Sequence, residues 1–245
     1  MDLKFKSPCK ILVCGDSISA GVVFSEKENR YIKSKESFVC MLQNSLDGVI
    51  TNVSRFGNTL TTALPKLKRD MEKQKPDIVL IELGGNDCDY KWEQVAENPL
   101  GEHLPATNIE DFKAGLISLI SSLRKNDVAP VLTTLPPIDA DRYFKWISNQ
   151  NAEKAANILQ WLGSVSRIYW WQERYNAAVL RVAESTNTAW IDLRSAFLVA
   201  PDFRKFLCMD GIHPNSEGHK LIFKAILEFI DLNYPALMKP TPTLA

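Results

Sequence analysis

The sequence has no surplus charge: 29 Lys and Arg balance 29 Asp and Glu across 245 residues. Without a net field, nucleic acid and anionic membrane surfaces are not expected as partners. No apolar run approaches the about 20 residues that a membrane-spanning helix needs. The polar start Met-Asp-Leu-Lys-Phe-Lys-Ser-Pro-Cys-Lys does not read as a signal peptide. A soluble cytoplasmic protein is expected, and the sequon Asn52-Val-Ser54 matters only if a leader was removed.

A disulfide framework is also missing, because the five cysteines at 9, 14, 40, 88 and 208 are odd in number and lack metal-ligand spacing. Reduced thiols follow, with Cys14 as a small core residue and Cys88 either buried or lining a site. The chain has no internal repeat, no low-complexity segment and no Gly-x-Gly-x-x-Gly phosphate cradle, which argues against a nucleotide or flavin site. Histidine is scarce, at positions 103, 213 and 219.

What is present alternates. Short β-branched runs at Lys10 to Cys14, Val49 to Arg55, Ile78 to Leu83, Val128 to Leu135 and Ala189 to Leu193 read as five strands. Amphipathic stretches near Ser37 to Leu46, Thr61 to Lys73, Ile109 to Lys125, Asn151 to Leu162, Ser166 to Ser185 and Ser216 to Leu232 read as helices. The basic cluster Lys66 to Lys75 reads as a solvated helix face. This alternation predicts one α/β domain with a parallel sheet covered on both faces, ending in a loose tail at about 239–245.

In such sheets ligands bind beyond the carboxyl ends of the strands. Gly15-Asp16-Ser17 follows the first strand, Gly57-Asn58 the second and Gly84-Gly85-Asn86-Asp87 the third, while Asp210-Gly-Ile-His213 precedes the last helix. A Ser-His-Asp constellation is recognised by geometry rather than by order in the chain. Ser17 is the candidate nucleophile, His213 the base that takes its proton, and Asp210 the group that holds the imidazole tautomer. Pro214 disfavours helical geometry at His213, and Asn215 is placed to cap the helix that follows. His219, inside that helix, and His103, in a polar loop, have no such setting.

These four blocks, in this order, resemble those of the SGNH (GDSL-type) hydrolase family, at Ser17, Gly57, Asn86 and His213. The resemblance spans nearly the whole chain. It implies a three-layer α/β/α flavodoxin-like sandwich with strand order 2-1-3-4-5, and an oxyanion hole made of the backbone N–H groups of Ser17 and Gly57 with the Asn86 amide. Loss of one such donor typically costs about 3–4 kcal/mol in serine hydrolases. A glycine at 57 lets backbone approach a substrate carbonyl closely. The Gly-x-Ser-x-Gly nucleophile elbow is not met, since Gly15-Asp-Ser17-Ile-Ser19 ends in serine.

Asp16 and Asp87 read as supports for their loops. No third hard ligand accompanies them in sequence, so neither a metal nor another cofactor is expected. The segment from Pro136 to Thr188, about 136–188, is an aromatic-rich insert that holds four of the six tryptophans. It is a lid, a pocket wall or a self-association surface, with Tyr143 and Trp146 the candidates for substrate contact. Hydrolysis of a small-molecule carboxylic ester of short acyl, carbohydrate-linked or aryl type is the expected activity. Acyl transfer by the same triad and a silent binding module are the alternatives.

Overall fold

The computed structural model describes residues 8–239. The first seven residues, and the expected tail at 239–245 except Lys239, lie outside them. In chain order the elements are β1 (Cys9–Gly15), the hairpin β2 (Val22–Ser25) and β3 (Arg30–Lys33), α1 (Phe38–Ser45), β4 (Gly48–Asn52), α2 (Leu60–Gln74), β5 (Ile78–Glu82), α3 (Trp92–Glu97) and α4 (Ile109–Lys125). There follow β6 (Ala129–Thr133), α5 (Ala140–Ser148), α6 (Ala152–Leu162), α7 (Ser166–Ser185), β7 (Ala189–Ile191), α8 (Leu193–Leu198) and α9 (Ser216–Asn233).

Five strands form one parallel sheet in the order β4-β1-β5-β6-β7, which is the expected 2-1-3-4-5 arrangement. Near-continuous burial of β1 and β5 fits a sheet covered on both faces. The period of two sorts their side chains. Leu12, Cys14, Val79 and Ile81 pack with α2, α4 and α7, whereas Ile11, Val13, Ile78 and Leu80 pack with α1, α8 and α9. α4 buries Phe112, Leu116, Leu119, Ile120 and Leu123 at helical spacing, starts on an Asn108 cap and ends on Arg124 and Lys125, which favour the negative end of the helix dipole.

Several features depart from the expected elements. Residues Val53 to Arg55 leave the second sheet strand early, because it ends at Asn52. The antiparallel β2–β3 hairpin falls where no strand was expected; its four-residue strands are too short to carry an alternation that stands out from the charged turn between them. α5 was also unexpected, although Ala140, Tyr143, Phe144 and Ile147 follow helical spacing behind the Asp139 cap. α7 is the crossover helix itself, burying Tyr175, Ala178, Val179 and Val182 in the sheet-face core. The part of 136–188 that stands apart from the sheet is therefore α5 and α6, which join α3 in a third apolar cluster around Trp92, Tyr143, Ile158 and Leu162.

His219 lies fully buried on α9, stacked on Phe38 at 6.0 Å. Burial first, then the nearby His213, lowers its pKa to about 4. The folded protein therefore keeps His219 neutral while the unfolded chain binds a proton below about 6.5. Its contribution to stability is intact above that pH and is lost as pH falls towards 4. His219→Phe should be about 2–3 kcal/mol less sensitive to acid than wild type when urea unfolding is compared at pH 7 and pH 4. Equal losses in the two proteins would remove His219 as the cause.

Candidate functional site

The β1–β5 register pairs Gly15 with Glu82, so the turns that follow both strands leave the sheet side by side at its carboxyl edge. Ser17 stands in the first turn and Asn86 in the second. The segment before α9 closes on itself, with the Cys208 N–H bonding the His213 carbonyl at 2.7 Å and a bridge between Leu207 and Pro214. Asn215 caps α9 by accepting from the Gly218 N–H. Gly211 has φ +77°, and a Cβ there would lie 2.6 Å from the Asp139 carbonyl, so this turn needs glycine to dock on the start of α5.

These turns bring Ser17, Asp210 and His213 together, all three buried. His213 Nε2 lies 2.9 Å from Ser17 Oγ, and His213 Nδ1 lies 2.6 Å from Asp210 Oδ2. Asp210 Oδ1 accepts the backbone N–H groups of Ile212 and His213, both at 3.0 Å. Burial pushes the Asp210 carboxyl up, yet the hydrogen bond and charge of His213 and the two backbone donors outweigh it and hold the group below the usual carboxylate range. The arrangement can deprotonate a serine hydroxyl and stabilise the imidazolium that results.

A residue the sequence did not single out completes this line. Tyr31, on β3, donates its hydroxyl to Asp210 Oδ2 at 2.9 Å, and its ring lies 5.0 Å from that of His213. Phe56, largely exposed, stacks on His213 at 5.9 Å and 17° and also touches the Tyr31 ring at 5.4 Å. Only the tertiary contact distinguishes Tyr31 from any other hairpin tyrosine.

Of the remaining candidates, Asn86 borders the pocket and donates its Nδ2 to Asp16 Oδ2 at 3.0 Å. Gly57 is exposed with φ +72°, and a Cβ there would meet no protein atom within 4 Å. The positive φ, not crowding by the protein, is what favours glycine at that position. Neither the Gly57 nor the Ser17 backbone N–H donates to a described residue. Asp87 caps α2 from outside, accepting the Leu60 N–H on both oxygens.

Tyr143 is buried and lines the pocket beside Ser17, with its hydroxyl donating to Asp89 at 2.7 Å. Trp92 Nε1 donates to the other Asp89 oxygen at 2.8 Å. Trp146 is placed differently. It packs edge-on against Phe24 at 4.9 Å and against Tyr31 at 6.1 Å, outside the enclosed pocket and one ring away from His213. Cys88 is a buried thiol on the pocket wall, whereas His103 does not line the pocket, bonding the Asn98 carbonyl and packing edge-on against Trp161 at 5.5 Å.

The pocket is a cleft of about 840 Å³ with the open solvent at its mouth included. Ser17, Asn86 and His213 border it, and its apolar wall includes Tyr90, Trp92, Trp161, Leu162, Ile168 and Trp171. Among the described residues no group of three His, Cys, Asp or Glu side chains is arranged to hold a metal ion.

Comparison with known proteins gives the family of the chain and a likeness of fold. The sequence profile of the GDSL-like lipase/acylhydrolase family matches residues 13–221. An acetylxylan esterase of Geobacillus stearothermophilus is 23% identical over 242 residues, covering 95% of this chain and 98% of that protein. An arylesterase of Vibrio mimicus is 38% identical over 80 residues, 32% of this chain and 38% of that protein. The crystal structure of a lipase/acylhydrolase from Enterococcus faecalis superposes with a TM-score of 0.66 at 22% identity, over 96% of this chain and all of that one, a likeness of fold.

Proposed function

The chain belongs to the GDSL-like lipase/acylhydrolase family and is an ester-cleaving serine hydrolase, in which we propose that Ser17 is the nucleophile, His213 the general base and Asp210 its orienting carboxylate. The observation that carries this assignment is the unbroken line Ser17 Oγ, His213 Nε2, His213 Nδ1, Asp210 Oδ2, with contacts of 2.9 and 2.6 Å. His213 takes the Ser17 proton as Oγ attacks the ester carbonyl, then returns it to the departing alcohol. Water, activated by the same imidazole, releases the acid from the acyl-serine. The backbone N–H groups of Ser17 and Gly57 and the Asn86 amide stabilise the oxyanion. The two backbone donors suit that role because the folded chain leaves them unengaged.

The acyl group occupies the enclosed aromatic pocket, and the alcohol leaves on the His213 side, past Tyr31 and the exposed Phe56. The apolar wall of Tyr90, Trp92, Trp161 and Trp171 supports acyl groups larger than acetyl, aryl ones included. The names of the relatives, an acetylxylan esterase and an arylesterase, favour carbohydrate-linked or aryl esters as the substrate class. Five free thiols support a reducing, cytoplasmic setting.

The test is turnover of p-nitrophenyl esters from acetyl to decanoyl. Trp161→Ala should move the optimum to longer or bulkier acyl groups by opening the wall, with a rise in kcat/KM of about tenfold for the larger esters. An unchanged ranking would place the acyl group elsewhere. Trp146→Ala, outside the pocket, should leave the acyl ranking alone and alter the ranking of alcohols.

A further inference from the structure

Asp16 and Glu82 are 2% and 1% exposed and lie side by side at the ends of adjacent sheet strands, where the register pairs Gly15 with Glu82 and each carboxyl group acts on the other. None of the ion pairs among the described residues involves either of them. Two carboxyl groups in contact and out of water cannot both ionise. Glu82 Oε2 already accepts the Ser19 hydroxyl at 2.8 Å and the Ser19 N–H at 3.3 Å, whereas Oε1 is buried and meets no donor. A proton on Glu82 turns that orphaned oxygen into a donor. Asp16 has the opposite surroundings: Oδ1 accepts the Ile18 N–H at 2.9 Å, and Oδ2 accepts Asn86 Nδ2 at 3.0 Å.

We propose that Asp16 and Glu82 hold one shared proton beneath the Ser17 turn, carried by Glu82, and that the resulting Asp16 carboxylate is the positioning residue that aims the Asn86 amide. Burial and the charge of Asp16 raise Glu82 well above the usual range, while the Ile18 N–H and the charge of His213 partly counter the effect of burial on Asp16. Asp87 also faces the pair through its charge, the Cys14 and Cys88 thiols lie close enough to feel it, and His213, when protonated, is the cationic group that acts on Asp16. With one Nδ2 hydrogen bound to Asp16, the plane of the Asn86 amide is fixed and its second hydrogen has one direction left. A Cβ at Gly85 would come within 3.2 Å of Asp16 Oδ2, so the glycine leaves the carboxylate room to reach Asn86.

This inference rests on Asn86 as an oxyanion donor, and the experiment separates the two. kcat and KM for p-nitrophenyl acetate are measured for Asn86→Ala, Asp16→Asn, Glu82→Gln, Glu82→Leu and the double variant Asp16→Asn/Asn86→Ala, with thermal unfolding of each. Asp16→Asn turns an N–H toward donors, and should lower kcat by about a hundredfold with KM little changed. Glu82→Gln keeps an N–H for Asp16 and an oxygen for Ser19, so it should hold kcat within about threefold of wild type, whereas Glu82→Leu falls with Asp16→Asn. The double variant should be no slower than Asn86→Ala alone. An unaltered kcat in Asp16→Asn, a Glu82→Gln as impaired as Glu82→Leu, or additive losses in the double variant would each overturn the shared proton and its role. Undiminished turnover in Asn86→Ala would instead remove the oxyanion reading on which it stands. If Glu82→Leu does not fold, the contrast of Glu82→Gln with Asp16→Asn still decides.

Discussion

Ser17→Ala is expected to lower ester turnover by about five to six orders of magnitude while the fold persists, because without the hydroxyl no acyl-enzyme can form. Among the described residues the only side-chain partner of Ser17 Oγ is His213 Nε2, at 2.9 Å, so the truncation removes one hydrogen bond from a small buried side chain. Its cost to stability should be about 1 kcal/mol. The residual rate reflects oxyanion donors and binding alone, so Ser17→Ala/His213→Ala should be no slower than Ser17→Ala. The measurement is kcat for p-nitrophenyl acetate alongside urea unfolding. A variant that keeps a tenth of wild-type turnover would sink Ser17 as nucleophile, and a double variant slower by the product of the two losses would mean that the pair does not act as a unit.

Asp210→Asn should cost about 10⁴ in kcat with KM nearly unchanged. Asp210 Oδ2 accepts from His213 Nδ1, which keeps the proton on Nδ1 and leaves Nε2 as the acceptor for Ser17. An asparagine that presents an amide N–H at the Oδ2 position favours the other tautomer, in which Nε2–H faces a hydroxyl it can no longer deprotonate. Oδ1 remains free to accept the Ile212 and His213 N–H groups, so the turn should survive the change. Tyr31→Phe removes a second donor from Oδ2 and should lower kcat by about tenfold, since the His213 contact remains. If Asp210→Asn costs less than Tyr31→Phe, the carboxylate is not the group that orients His213.

Much of the fold was legible because the sheet is buried on both faces and so leaves continuous apolar runs, such as Ile78 to Leu83. Long helices were legible for a related reason: α4 and α9 each carry an asparagine cap and an apolar stripe that local physics alone interprets. The β2–β3 hairpin and α3, α5 and α8 were not, since elements of four to nine residues take their stability from neighbours rather than from pattern. The aromatic richness of 136–188 was plain. Which rings line a pocket was not: Trp161 borders it, Trp146 braces the hairpin, and Trp170 is half exposed.

By itself the sequence determined the alternation of the five sheet strands with the long helices, the parallel sheet and the placement of Ser17, Gly57 and Asn86 on strand-end turns, because periodicity and turn chemistry are local properties. Tertiary structure alone decided that Tyr31 meets Asp210 across 179 positions, and that Asp16, a loop support by sequence, shares its burial with Glu82. Those contacts depend on strand register and on desolvation. Neither is encoded within any one segment: a carboxyl group acquires an unusual proton affinity only when distant parts of the chain close over it and exclude water.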